Sequence, residues 1–109
     1  MTSETVRPRI QSFQEFWPFY VQEHSHPLNR ALHFLGTTLA LLLLLWVISQ
    51  GQWPWLPVVF VAGYGPAWIG HFLVEGNRPA TFRYPLWSLI ADFKMYGLIW
   101  TRRMARELA

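Results

Sequence analysis

The sequence has no cysteine, which excludes disulfides and any Cys-bound zinc or iron–sulfur site. It is also poor in charge. Charged residues make up 14% of the 109, while 52% are apolar and 17% aromatic; ordinary soluble proteins carry about 25% charged residues. From Ala31 to Val74 there is no Asp, Glu, Lys or Arg at all, a run of 44 residues. This composition argues against a small soluble domain and for an integral membrane protein. A Ser-His-Asp arrangement, a phosphate-binding P-loop and a dinucleotide-binding glycine fingerprint are missing. Residues 1–20 lack the uninterrupted apolar core of a cleavable signal peptide.

The net charge of +3 does not signal nucleic acid, because of where the charges sit. Arg7, Arg9, Arg30, Arg78, Arg83, Lys94, Arg102, Arg103 and Arg106 all fall outside the charge-free run. By the positive-inside rule both termini are cytoplasmic, in an inner membrane if the source is bacterial or the endoplasmic reticulum if eukaryotic. Nothing in the sequence supports a homo-oligomer.

A helix rises about 1.5 Å per residue and a bilayer core is about 30 Å thick, so the charge-free run amounts to two spans of roughly 20 residues. Gly51-Gln52-Trp53-Pro54 separates them, with Pro54 suited to a first helical turn. The expected architecture is all-α: an antiparallel transmembrane hairpin, 28–50 and 54–75, with flanking interfacial or packed amphipathic helices. Residues 1–11 form a loose N-terminus. A helix over 12–23 starts at the capping box Ser12/Glu15 and lies in the cytoplasmic interface on Ile10, Phe13, Phe16, Trp17, Tyr20 and Val21; Pro18 should kink or interrupt it. A C-terminal helix covers 85–106. A third span there would put Arg102, Arg103 and Arg106 opposite the other basic residues, so this helix lies in the membrane plane or packs on the hairpin. Trp46, Trp53 and Trp55 would mark one interface, and Trp17, Tyr84 and Trp87 the other. Gly36, Thr37 and Thr38 allow close helix approach, Gly63, Gly65 and Gly70 close packing or a local break, and Pro66 a kink.

The chemistry lies in four histidines: His24, His26, His33 and His71. The midpoint of 33 and 71 is 52, inside the interhelical turn, so a hairpin returns both histidines to one depth. Pro27 starts the first span and leaves His24 and His26 in a turn able to fold over them. One intramembrane histidine reads as an interhelical hydrogen bond, but two at matched depth with two more above them favour a metal site. Imidazoles suit Zn, Fe, Cu and Ni. Glu75, four residues after His71, shares its face if the helix persists, and would serve as ligand or as support for a ligand histidine. Asp92 is expected to pair with Lys94 or an arginine. An arginine among Arg30, Arg78 and Arg83 would grip a substrate carboxylate.

Two motifs add to this reading. His24-Ser25-His26-Pro27-Leu28-Asn29-Arg30-Ala31-Leu32-His33 resembles a His-x-x-Pro-x-Asn-x-x-x-His pattern, and Gly70-His71-Phe72-Leu73-Val74-Glu75 with Pro79-Ala80 resembles its Gly-His-x-x-x-Glu…Pro-Ala companion. Together they are similar to a family of small membrane proteins that includes the fungal 2-hydroxy fatty acid dioxygenase of phytosphingosine breakdown. The resemblance spans roughly residues 12–100. It implies an Fe(II)-dependent dioxygenase of fatty acid α-oxidation, converting a 2-hydroxy fatty acid and O2 to a product one carbon shorter. It also implies that His24, His33 and His71 are the essential metal ligands, His26 falling where the pattern is free, with Arg30 or Arg78 steadying the substrate carboxylate. Two other readings are a haem-binding electron carrier or sensor gripped by His33 and His71, and a non-catalytic membrane module whose histidines only brace helices.

Overall fold

The computed structural model describes residues 9–108, so the expected loose N-terminus lies mostly outside the described residues. Secondary structure among these residues is entirely helical: α1 (Phe13–Gln22), α2 (Pro27–Gln50), α3 (Leu56–Ile69), α4 (Pro85–Trp100) and α5 (Met104–Leu108), with short 3₁₀ turns at Trp53–Trp55 and Ala80–Phe82. Each boundary has a local cause. Ser12 caps α1 by accepting from the Glu15 amide at 3.2 Å. His26 caps α2, its Nδ1 accepting from the Leu28 amide at 3.0 Å, with Pro27 in the first turn. Gly51 ends α2 at φ 63°, the left-handed cap that suits glycine.

α2 and α3 form an antiparallel hairpin. Trp46 meets Trp55 near the turn, Gly63 lies against Gly36 and Ala40 midway, and Asn29 touches Gly70 at the far end. A methyl group on Gly36 would lie 2.5 Å from the Gly63 carbonyl oxygen, so the two backbones are in contact there. Pro27–Gln50 and Trp53–Glu75 are long and apolar enough to cross a membrane. Only 17% of the most apolar stretch of each is buried. Leu35, Leu39, Leu42, Leu45, Phe60, Val61 and Ile69 point outward instead.

A second layer covers the histidine end of the hairpin. Phe16, Trp17, Tyr20 and Val21 of α1 bury against Tyr84, Ala91 and Met95 and against Met104 of α5. Fully burying a large apolar side chain contributes about 1.5–3 kcal/mol, so this cluster fastens α1 and α4 to each other. The expectation that the apolar face of α1 rests on lipid is therefore corrected: protein covers it. Trp17 and Tyr84 are core residues and not an interfacial belt, whereas Trp46, Trp53 and Trp55 are exposed. Nor does Pro18 interrupt α1. Pro18 and Gln14, whose carbonyl loses its helical donor, both face outward, where solvent can replace the lost bond. α4 reaches α2 through Tyr96, which stacks on Phe34 at 4.8 Å and bonds Thr38 Oγ1 at 2.8 Å.

The C-terminal helix does not run unbroken to residue 106. It ends at Trp100 in a Schellman turn: the Arg103 amide donates to Leu98 O at 2.8 Å and the Arg102 amide to Ile99 O at 3.1 Å. Arg102 takes φ 59°, an unfavourable value for a residue with a Cβ. The turn directs α5 back, so that Met104 enters the core and Glu107 accepts the Trp17 Nε1 proton at 2.6 Å. Arg102→Gly is expected to stabilise the fold by about 1 kcal/mol, readable as a higher Tm in detergent; an unchanged or lower Tm contradicts this account of the turn.

Candidate metal centre

Three elements bring three imidazoles together. His24 follows α1 directly and stacks on Tyr20 with ring centroids 3.9 Å apart. His33 lies about two turns into α2. His71 sits where α3 passes into a π-turn, Gly70–Glu75, a geometry often found at functional positions. His24 Nε2 is 3.0 Å from His33 Nε2 and 3.0 Å from His71 Nε2, and all three rings are buried.

The outer nitrogens decide what the inner ones can be. His24 Nδ1 is 2.7 Å from Tyr20 O, His33 Nδ1 is 2.9 Å from Asn29 O, and His71 Nδ1 is 2.7 Å from Asn77 Oδ1. Asn77 is held in that orientation because its Nδ2 donates to Glu23 O and Glu23 Oε2, both at 3.2 Å. An oxygen of a carbonyl or an amide only accepts, so each Nδ1 carries a proton and each neutral ring turns a bare Nε2 lone pair inward. Three lone pairs then face one another with no donor among them. Burial, then the neighbouring His33 and His71, push the His24 pKa well below its ordinary value, so protonation does not relieve the repulsion. A cation does. Two nitrogens 3.0 Å apart can both lie about 2.1 Å from one ion, and the three residues together can hold a metal ion.

The other residues singled out in the sequence are placed differently. His26 stands exposed as the cap of α2 and is outside the group. Glu75 is also outside it. Its carboxylate accepts instead from the His26 amide at 2.5 Å, Ser25 Oγ at 3.2 Å and Asn29 Nδ2 at 3.4 Å, tying down the turn that carries His24. Arg30 braces the same turn, Nη1 donating to His24 O and Ser25 O at 2.8 and 2.7 Å. Arg78 is exposed. Gly76, at φ 73°, lets the chain double back so that its own amide and the Asn77 amide both donate to His71 O.

Asp92 does not pair with Lys94. It accepts from Tyr20 Oη at 2.5 Å, while the Lys94 ammonium sits 4.2 Å over the Trp17 ring. Burial raises the Asp92 pKa to about 7, and burial followed by Asp92 itself raises that of Tyr20. Composition gave no hint of the Asp92–Tyr20 pair; it needs α1 and α4 packed side by side. Asp92 helps to line a chamber of about 10 Å³ at the histidines, walled also by Tyr64, Trp68, Thr81 and Ser88. That is room for one water or one ion. Ser88 Oγ and Trp68 Nε1 are buried there without a hydrogen-bond partner.

A family model described as 2-hydroxy-palmitic acid dioxygenase Mpo1-like matches residues 10–104. No curated protein matches the chain, and no solved structure does. The model runs from the last residues before α1 to the start of α5, taking in every element that carries or supports the three histidines, and the chain thus belongs to the Mpo1-like family.

Proposed function

We propose that this protein is a membrane-embedded, Fe(II)-dependent dioxygenase that converts a 2-hydroxy fatty acid and O2 to a product one carbon shorter. The observation that carries the reading is the convergence of three bare Nε2 atoms whose Nδ1 protons are all committed elsewhere. His24, His33 and His71 hold the ion, and the family's description names the substrate class. Bound there, iron(II) supplies electrons and open coordination positions for reaction with O2.

The protein's own contribution is orientation and exclusion of water. Tyr20 O, Asn29 O and Asn77 Oδ1 fix the imidazole tautomers. Glu75 and Arg30 hold the His24 turn closed over the hairpin end. The hairpin spans the bilayer with the centre at its cytoplasmic boundary, where the flanking arginines cluster, so an acyl tail can stay in lipid while its head reaches the metal. A haem between His33 and His71 finds no place here: their ring centroids are 4.9 Å apart, and His24 Nε2 lies 3.0 Å from both inner nitrogens. Purely structural histidines would need a donor, such as a water, among the facing lone pairs, and would then take up no metal.

The test is oxygen uptake by detergent-purified, iron-loaded protein supplied with 2-hydroxypalmitic acid. One O2 consumed per acid, with a product one carbon shorter, is the expected result. Iron-loaded protein that consumes no O2 and leaves the acid intact would overturn the reading.

A further inference from the structure

The chamber at the histidines has a neighbour. A groove of about 110 Å³ lies between α2, α3 and α4, lined by Thr37, Val59, Phe60, Leu89 and Phe93 beyond its polar end. Four residues wall both spaces: His33, Tyr64, Ala67 and Asp92. Tyr64 comes from α3 and Asp92 from α4, so these two polar side chains form a collar at the junction of a polar chamber and an apolar groove.

The collar offers hydrogen-bonding groups that the protein itself does not use. Tyr20 Oη occupies Asp92 Oδ1, while Asp92 Oδ2 and Tyr64 Oη make no hydrogen bond among the described residues. Ser88, one turn before Asp92 on the same face of α4, adds an unpartnered Oγ at 1% exposure, and Trp68 an unpartnered Nε1. Buried polar atoms are ordinarily paired, because leaving one unpaired costs a large part of its hydration. Two such atoms, Ser88 Oγ and Trp68 Nε1, beside the half-buried Asp92 and Tyr64 mark where a ligand's polar end belongs. The groove continuing from it is walled mainly by apolar side chains, as a hydrocarbon chain would require.

We propose that the Tyr64–Asp92 collar seats the head of a 2-hydroxy fatty acid, with Asp92 Oδ2 accepting a hydrogen bond from the 2-hydroxyl and the acyl tail lying in the groove along Val59, Phe60, Leu89 and Phe93. This rests on the dioxygenase reading for the ligand's identity. Asp92 is then a substrate-binding residue that separates hydroxylated from unhydroxylated acids, since a buried acceptor left unpaired by the wrong ligand disfavours it. The 2.5 Å bond from Tyr20 fixes the carboxyl so that Oδ2 and not Oδ1 faces the ligand. Arg30, occupied by two carbonyls, is not needed for the head.

The test is binding of 2-hydroxypalmitic acid and palmitic acid to the metal-loaded protein without oxygen, so that no turnover intervenes. Asp92→Asn keeps the side chain's size and the oxygen that Tyr20 donates to, but puts an amide NH2, a donor that cannot accept, where the free oxygen stood. The wild type is expected to prefer the hydroxylated acid, and Asp92→Asn to lower that preference about tenfold with metal content and palmitic acid affinity unchanged. A diazirine on the acyl chain is expected to label Val59, the buried apolar residue of the groove. A preference unchanged within twofold, or no preference in the wild type, overturns the proposal, as does labelling confined to the outward leucines of α2. Preferential binding without product once oxygen is admitted would reject the dioxygenase reading and leave the collar standing.

Discussion

Alanine at His24, His33 or His71 is expected to lower turnover of 2-hydroxypalmitic acid about a thousandfold or more, and a double replacement to lower it no further. In the proposed enzyme the three imidazoles act through one ion, so the first loss already removes the site, and groups acting as a unit are far from additive. A second readout separates this from a bracing role. Adding iron(II) anaerobically should raise the Tm of the wild type, because a ligand that binds only the folded state stabilises it. In the variants, with two nitrogens left, the Tm should not respond. If histidines merely braced helices, metal would leave the wild-type Tm unchanged and the three replacements would each cost stability independently. His26→Ala provides the contrast: it loses only a helix cap, about 1 kcal/mol, and keeps the metal response.

Gly70→Ala is expected to disable the centre without touching a ligand. The added methyl carbon would lie 2.0 Å from Asn29 Oδ1, 2.9 Å from its Cγ and 3.2 Å from its Cα. Asn29 is buried, and its backbone oxygen orients His33 while its Nδ2 reaches Glu75 and Glu23 O. Relief requires moving Asn29 or the π-turn that carries His71, and either motion separates nitrogens now 3.0 Å apart. Overpacking of this kind costs on the order of 3 kcal/mol. A Tm drop together with at least tenfold weaker metal binding is the expected outcome. Gly65→Ala, where a methyl group meets open space, is the control that should change little. Equal metal affinity in Gly70→Ala and wild type would refute this account of the Asn29–Gly70 contact.

The meeting of His33 and His71 was legible because a hairpin is a length argument: equal distances from one turn bring two residues back to one depth. The fold-back of His24 was legible from Pro27, which separates a turn from a helix. What escaped depends on geometry that periodicity does not carry. Glu75 was placed with His71 by helical spacing, but its carboxylate is taken by the His26 amide and Ser25 Oγ, 49 and 50 positions away, which spacing does not carry. The positive φ of Arg102 gave no sign, since glycine is the usual marker of such a cap. Trp17 and Tyr84 read as interfacial aromatics because composition cannot tell lipid from a protein partner, and α4 supplied the partner. The Tyr20–Asp92 bond joins residues 72 positions apart and leaves no local pattern at all.

Whether the three bare imidazole nitrogens hold a metal ion is decided by elemental analysis of protein purified anaerobically from cells supplied with iron. The expected result is close to one iron per chain, falling to background in His33→Ala and His71→Ala. Wild-type protein that carries no metal and takes up none on reconstitution would contradict a metal centre.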